Sequence, residues 1–147
     1  MPTFSKLVAA LILAAGAWWS GSVILSGPDL PVVARRFAEA NAALGLILGW
    51  VVVGTSAGRG VVAAVSAGVS GGVALLVSSC ALWSFLGMLR RALRTQYAGP
   101  VEGLVDAVRI MVEMAPFYFV PGALLGALGG GALAGIAAEL LAERRRE

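Results

Sequence analysis

The chain has 147 residues, of which 59% are hydrophobic and 13% charged, with a formal net charge of +3. A soluble domain of this length could not hide so much apolar surface, and so small a charge does not indicate nucleic-acid binding. The chain has no histidine and one cysteine, which excludes a disulfide within the chain, imidazole or multi-cysteine metal sites and Ser-His or Cys-His nucleophiles. We therefore predict no catalytic residue, no metal, no cofactor and no enzyme activity, and a buried hydrophobic role for Cys80.

Four long stretches of the chain carry no charge: residues 7–28, 40–58, 60–89 and 114–138. A helix that crosses the hydrocarbon layer of about 30 Å needs about 20 apolar residues. The sequence therefore predicts an all-α integral membrane protein, a single membrane domain over residues 1–147. Its four transmembrane helices are expected at about 7–26, 40–58, 61–89 and 116–138.

The first apolar run has two interpretations. Lys6, the apolar stretch after it and the small residues 15–17 resemble a cleavable secretory signal. The uncharged run continues through Trp18 and Trp19 to Pro28, which favours an uncleaved span. Both interpretations stay open, and the sequence GPDLP at residues 27–31 is predicted to end the helix.

The later runs carry features that predict turns and irregular helix. The sequence TSAGRG at residues 55–60 predicts a tight helical hairpin with Arg59 near its tip. The third run has 30 uncharged residues, about 45 Å as one helix, so it must tilt, bend near residues 70–72 or protrude. The fourth contains Pro116, Pro121 and three glycines at 129–131, which predict a kinked or locally unwound helix. The charged tail from Glu139 is predicted to end the membrane region.

Small residues recur four apart along the apolar runs, which places them on one side of each helix and allows another backbone to approach closely. We expect these strips to pack within the chain, with a homo-oligomer as the alternative. The predicted packing glycines are Gly45, Gly49, Gly68, Gly72, Gly122 and Gly126. Ser66, Ser70 and Ser78 either line an aqueous path or bond to nearby helix carbonyls; the second is the usual role.

A further helix is predicted over residues 100–115, between the third and fourth spans. Pro100 suits the first helical position. The charged residues fall within an arc of about 60°, and the rest of the circumference is apolar, so we expect an amphipathic helix at the membrane surface or against the bundle. The charged stripe is either a surface without chemistry or a carboxylate-lined entrance. It consists of Glu102, Asp106, Arg109 and Glu113.

Three arginines precede this helix, and we expect them to contact anionic lipid headgroups of the bilayer. They are Arg90, Arg91 and Arg94. With four spans, Lys6, Arg59 and residues 144–146 share one side of the membrane. The other side has six arginines, so the charge rule barely separates the two orientations, and we favour both termini in the cytoplasm.

Four blocks of the sequence together resemble the TrgA family of small bacterial membrane proteins: MPTFSKLVAAL, FAEANAALGLILGW, VGTSAGRG and MLRRALRTQYAGPVEGLVDAV. The similarity runs over nearly the whole length. It implies a multi-pass protein of the bacterial inner membrane associated with tellurite resistance. It brings no catalytic residues.

Two functions are compatible with these patterns. An accessory or structural protein of the envelope is favoured by the absence of charge from the four predicted spans, because ion-coupled carriers generally need an intramembrane carboxylate. A subunit of an oligomeric exporter or channel is the alternative, favoured by the interrupted fourth helix and a polar edge. That edge consists of Glu39, Asn41, Glu102, Asp106 and Glu113.

Overall fold

The structure, a computed structural model, describes residues 3–27, 36–94 and 99–144, and every regular element within them is a helix. The prolines predicted to end the first span, Arg35, residues 95–98 and the last two arginines lie outside these ranges. The helices are α1 (Thr3–Leu25), α2 (Phe37–Leu48), α3 (Val61–Ala92), α4 (Pro100–Tyr118), α5 (Pro121–Leu124) and α6 (Gly130–Glu143). A π-helical turn, Gly49–Val53, and a 3-10 turn, Gly54–Ser56, extend α2, and another π-helical turn, Leu125–Gly129, joins α5 to α6.

Four helical stretches are long and apolar enough to cross a membrane, which confirms the predicted all-helical chain with four candidate spans. They are Phe4–Leu25, Phe37–Ser56, Val61–Ala92 and Pro121–Glu143. The second begins at Phe37, so it encloses Glu39. The fourth ends at Glu143, so Glu139, predicted to lie in a tail beyond the membrane region, is inside it.

The break before the last span lies at Phe119 and Val120, later than predicted. Helix α4 continues through Pro116 to Tyr118. Val120 is extended (φ −62°, ψ 132°), because the residue before a proline, here Pro121, is disfavoured in the helical conformation. The predicted irregularity near residues 129–131 takes the form of the π-helical turn that ends at Gly129.

The four spans form an antiparallel bundle in which α1 contacts α2 and α6, and α3 contacts α2 and α6. Glycines carry these contacts. A methyl group at Gly49 would lie 2.6 Å from Cα of Ala10, and one at Gly68 would overlap the carbonyl oxygen of Gly131. The other four predicted packing glycines, Gly45, Gly72, Gly122 and Gly126, also lie against another helix of this chain. The small-residue strips are therefore filled by contacts within the chain.

Helix α4 runs antiparallel to the last turns of α3. Arg91 binds Asp106, the Cys80 thiol is 3.6 Å from the Met111 carbonyl, and Ser79 binds Tyr118. Moving from residue 91 to residue 79 on α3 therefore corresponds to moving from 106 to 118 on α4. The order continues into the last span, where Gly72 meets Ala127. Helix α3 is unbroken over 32 residues, so its last turns and α4 form a hairpin that extends beyond the bundle.

Candidate functional site

At one end of the bundle, the carboxylate of Glu139 connects the last span to the turn between α2 and α3. Its two oxygens accept hydrogen bonds from the backbone N–H groups of Gly58, at 2.5 Å, and Gly60, at 2.8 Å. Both glycines have positive φ, 89° and 99°, a conformation that glycine adopts without strain. The predicted tight turn is thus present, and its two N–H groups converge on one carboxylate. Glu139 is 2% exposed, so the last span and the α2–α3 turn are joined by a buried, charge-assisted contact.

Glu139 was missed as a site residue because charge alone assigned it to the tail. Its helical position carries the missing signal. Gly131, Gly135 and Glu139 are spaced four apart, and the two glycines face α3 so closely that a methyl group on either would overlap a carbonyl oxygen there. A carboxylate on that face has to be buried, and a buried carboxylate needs hydrogen-bond donors.

A second polar cluster lies at the opposite end of the bundle, where α2, α3 and α4 meet. The Ser79 hydroxyl donates to Oδ1 of Asn41 at 2.6 Å, and Nε1 of Trp83 donates to the same oxygen at 3.2 Å. The Tyr118 hydroxyl lies 2.9 Å from the Ser79 oxygen. Because Ser79 has one proton, which it gives to Asn41, Tyr118 must be the donor in this contact. All four side chains are buried.

The surroundings of this cluster keep it neutral and fixed. Burial raises the pKa of the Tyr118 hydroxyl, which lies outside the four candidate spans, so the phenol keeps its proton at neutral pH. The Phe37 and Trp83 rings are stacked, with centroids 4.9 Å apart. The cluster therefore links the start of the second span to α3 and to the end of α4. Of its members, only Asn41 was singled out from the sequence, as part of a polar edge.

Cys80 is buried, as the sequence predicted, and is a free thiol. It borders a groove of about 160 Å³ beside the break between α4 and α5. The groove is lined by Leu76, Val77, Cys80, Met111, Ala115, Tyr118, Phe119 and Leu124. Among the predicted serines, Ser66 and Ser70 are exposed and Ser78 is half-buried, whereas Ser79 and Ser84, which the sequence analysis did not single out, are buried.

The charged stripe of α4 is held in ion pairs. Nη1 of Arg91 lies 2.9 Å from both oxygens of Asp106, and this pair joins α3 to α4. Arg109 pairs with Glu113 at 3.0 Å, one turn away on α4. Arg91, predicted to contact lipid, is thus bound to a carboxylate of the chain. Glu102, Arg90 and Arg94 lie on the same hairpin and make further contacts.

Asp106 and Glu113 form ion pairs within the α3–α4 hairpin, and Glu139 lies at the other end of the bundle. These three carboxylates therefore do not line one acidic entrance. Within the part of the chain that the structure describes, no group of three or more Cys, Asp or Glu side chains is placed to hold a metal ion. The arrangement joins helices: Glu139, the cluster around Ser79 and the ion-paired side chains of α4 bond to other parts of the protein.

Comparisons with known proteins give no relative. No family model, no curated protein and no solved structure matches the chain. The resemblance to the TrgA family therefore stays a prediction.

Proposed function

We propose that this chain is an accessory or structural protein of the bacterial inner membrane, without catalytic activity, that supports tellurite resistance. The link to tellurite comes from the resemblance to the TrgA family. The geometry bears on the kind of role. The observation that carries the proposal is that the Glu139 carboxylate and the polar cluster around Ser79 bond to the protein itself, while the spans touch through their backbones.

A conduit needs polar groups that face a path. The backbones of α3 and α6 touch at Gly68 and Gly131, and α1 meets the last span at Gly16 and Gly126. Such close approach leaves no room for water between these helices. Asn41, Ser79 and Tyr118 bond to one another. These features favour a rigid membrane unit over a carrier.

The position of Glu139 removes one argument for the accessory role. A charge does lie inside a candidate span, so an absence of intramembrane charge no longer supports the accessory role. The accessory role is supported instead by the geometry of the Glu139 carboxylate, which accepts hydrogen bonds from two backbone N–H groups and so joins two parts of the fold.

The same residue favours the second candidate, a subunit of an oligomeric exporter or channel. Buried acidic residues within spans commonly mark ion pathways, and discontinuous helices build ion sites. Glu139 is such a residue, and the chain is interrupted at Phe119 and Val120 before the last span. An exporter would need Glu139 to exchange its two N–H partners for an ion or a proton during transport.

Tellurite flux separates the two functions. Uptake and efflux of tellurite would be measured in cells with and without the protein, together with survival on tellurite. We expect lower survival without the protein and the same uptake and efflux rates. A slower efflux in the deletion strain, restored by the wild-type chain, would reject the accessory role and support the exporter.

A further inference from the structure

Helix α4 presents an apolar face that no other part of the described residues covers. Its members recur at intervals of three, one, three and four residues, the pattern of one helix face. They are between 57% and 73% exposed. We call this set the valine face: Val101, Leu104, Val105, Val108 and Val112. The opposite side of α4, with Ile110 and Met114, is the one that packs into the core.

The valine face lies beyond the end of the four-span bundle. Trp83 of α3 stacks on Phe37, the first residue of α2, next to the exposed Arg36. Arg91, which binds Asp106, is eight residues further along α3, about 12 Å at 1.5 Å per residue. Val105, beside Asp106, is therefore about 12 Å beyond the start of the second span, and Val101 further still.

Lipid can cover only part of such a face. The headgroup zone adds roughly 5–8 Å to each side of the hydrocarbon layer. The candidate span Phe37–Ser56 has 20 residues, about 30 Å, so it just crosses the hydrocarbon layer and puts Arg36 near its edge. Val112 then falls within reach of lipid, whereas Val101, Leu104 and Val105 extend past it. An exposed apolar face of this size in a polar environment indicates a protein partner.

We propose that the valine face binds the valine face of a second copy of this chain, forming a parallel pair of α4 helices. In two copies with the same orientation, the α4 hairpins extend from the same side of the membrane to the same height. A two-fold axis along the membrane normal then brings each residue of the face against its own counterpart.

The residue types fit a two-stranded parallel pair. Val101 and Val108 are seven residues apart, with Leu104 between them, and β-branched residues at one core position with leucine at the other favour two strands. The charged side chains beside the valine face are paired with opposite charges, Arg109 with Glu113 and Asp106 with Arg91. Two copies can therefore approach without strong repulsion between like charges. This interface is independent of the proposed function.

The test is disulfide crosslinking in native membranes, in a Cys80→Ser background that has no other thiol. Val101→Cys and Val108→Cys place one thiol each on the valine face. Arg109→Cys is the matched control, since it has the same height on the same helix but lies about 100° around it. With a mild oxidant, we expect dimers to form at positions 101 and 108 about tenfold faster than at 109, because a disulfide requires closely opposed Cβ atoms.

Equal crosslinking rates at positions 108 and 109, or no crosslinked dimer at either position 101 or position 108, would overturn the proposal. Reaction of Val108→Cys with a membrane-impermeant maleimide, without crosslinking, would show a face in water. Reaction only with a lipid-soluble reagent would show a face in lipid. A second measurement avoids the cysteine variants: the wild-type chain is expected to be dimeric by native mass spectrometry in mild detergent. Val108→Arg is expected to be monomeric and to keep the helical circular-dichroism spectrum of the wild-type chain.

Discussion

At the residue scale, the carboxylate of Glu139 accepts hydrogen bonds from two backbone N–H groups of the half-buried turn between α2 and α3. Glu139→Gln keeps the size of the side chain but replaces one acceptor oxygen by an NH₂ group, which would face the N–H of Gly58 or Gly60. We expect the free energy of unfolding to fall by about 1.5–3 kcal/mol, the range for a hydrogen bond to a charged group. The measurement is the unfolding transition in detergent.

Glu143→Gln is the control for this prediction, because Glu143 is an exposed carboxylate one turn later on the same helix. It should change stability by less than about 0.5 kcal/mol, as surface substitutions usually do. Equal losses of unfolding free energy in the two variants would show that the hydrogen bonds from Gly58 and Gly60 to Glu139 do not stabilise the fold.

The polar residues buried between helices were only partly predictable from the sequence. Asn41 stood out as an amide at the start of a span. Ser79 did not, because Ser66, Ser70 and Ser78 have the same chemistry. The glycine strip supplies the distinction: Gly68, Gly72 and Leu75 are buried on α3, and Ser79 follows on the same side. The phase of the strip, rather than the presence of a hydroxyl, decides which serine is buried.

At the scale of helix pairs, two nearby glycines in the last span should respond in opposite ways to alanine. At Gly131 a Cβ atom would overlap the carbonyl oxygen of Gly68, so α3 and α6 would have to separate. We expect Gly131→Ala to cost about 1–3 kcal/mol, the range for overpacking. At Gly129 nothing lies within 4 Å and φ is −65°, so Gly129→Ala should stabilise by about 0.5–1 kcal/mol.

Thermal unfolding of both variants in the same detergent checks the pair, and each serves as the control for the other. Equal tolerance at the two positions would mean that the contact between α3 and α6 is looser than the structure shows. The six glycines predicted from spacing all lie at contacts between helices, but spacing could not identify the partner helix. That depends on the order of the spans around the bundle.

The course of α4 is a property of the whole element that sequence patterns left open. The same amphipathic pattern suits a helix that lies flat on a membrane and one that stands against a neighbour. The length of α3 and the ion pair between Arg91 and Asp106 decide between them. The sequence showed that α3 was too long for the bilayer. It could not show that α4 accompanies the protruding turns.

At the scale of the whole molecule, the charge-free runs were enough to predict four candidate spans, because a run of about 20 apolar residues has the length of a membrane-crossing helix, in which every backbone group is satisfied within the segment. The ends of the spans were harder to place. Counting charges placed the end of the last span before Glu139, because the sequence does not distinguish a buried, hydrogen-bonded carboxylate from a solvated one. Of the two prolines named from the sequence, Pro121 directly follows the observed break, whereas Pro116 lies inside α4.

The bundle also predicts which parts of the chain share a side of the membrane. Lys6 lies against Gly54, and Glu139 binds the turn that contains Arg59, so the start of α1, this turn and the end of α6 are at one end. The α3–α4 hairpin is at the other. In a Cys80→Ser background, Arg59→Cys and Glu143→Cys should therefore react with a membrane-impermeant maleimide from the same side. Leu93→Cys, at a position that is 79% exposed, should react from the opposite side.

Intact cells and inverted membrane vesicles distinguish the two sides, and detergent-solubilised protein gives the full labelling of each variant. If the termini are cytoplasmic, Leu93→Cys is labelled in intact cells, whereas Arg59→Cys and Glu143→Cys are labelled in inverted vesicles. The reversed pattern would reverse the orientation but keep the four spans. Labelling of all three positions from one side is incompatible with α3 crossing the membrane, because Arg59 and Leu93 lie at its two ends.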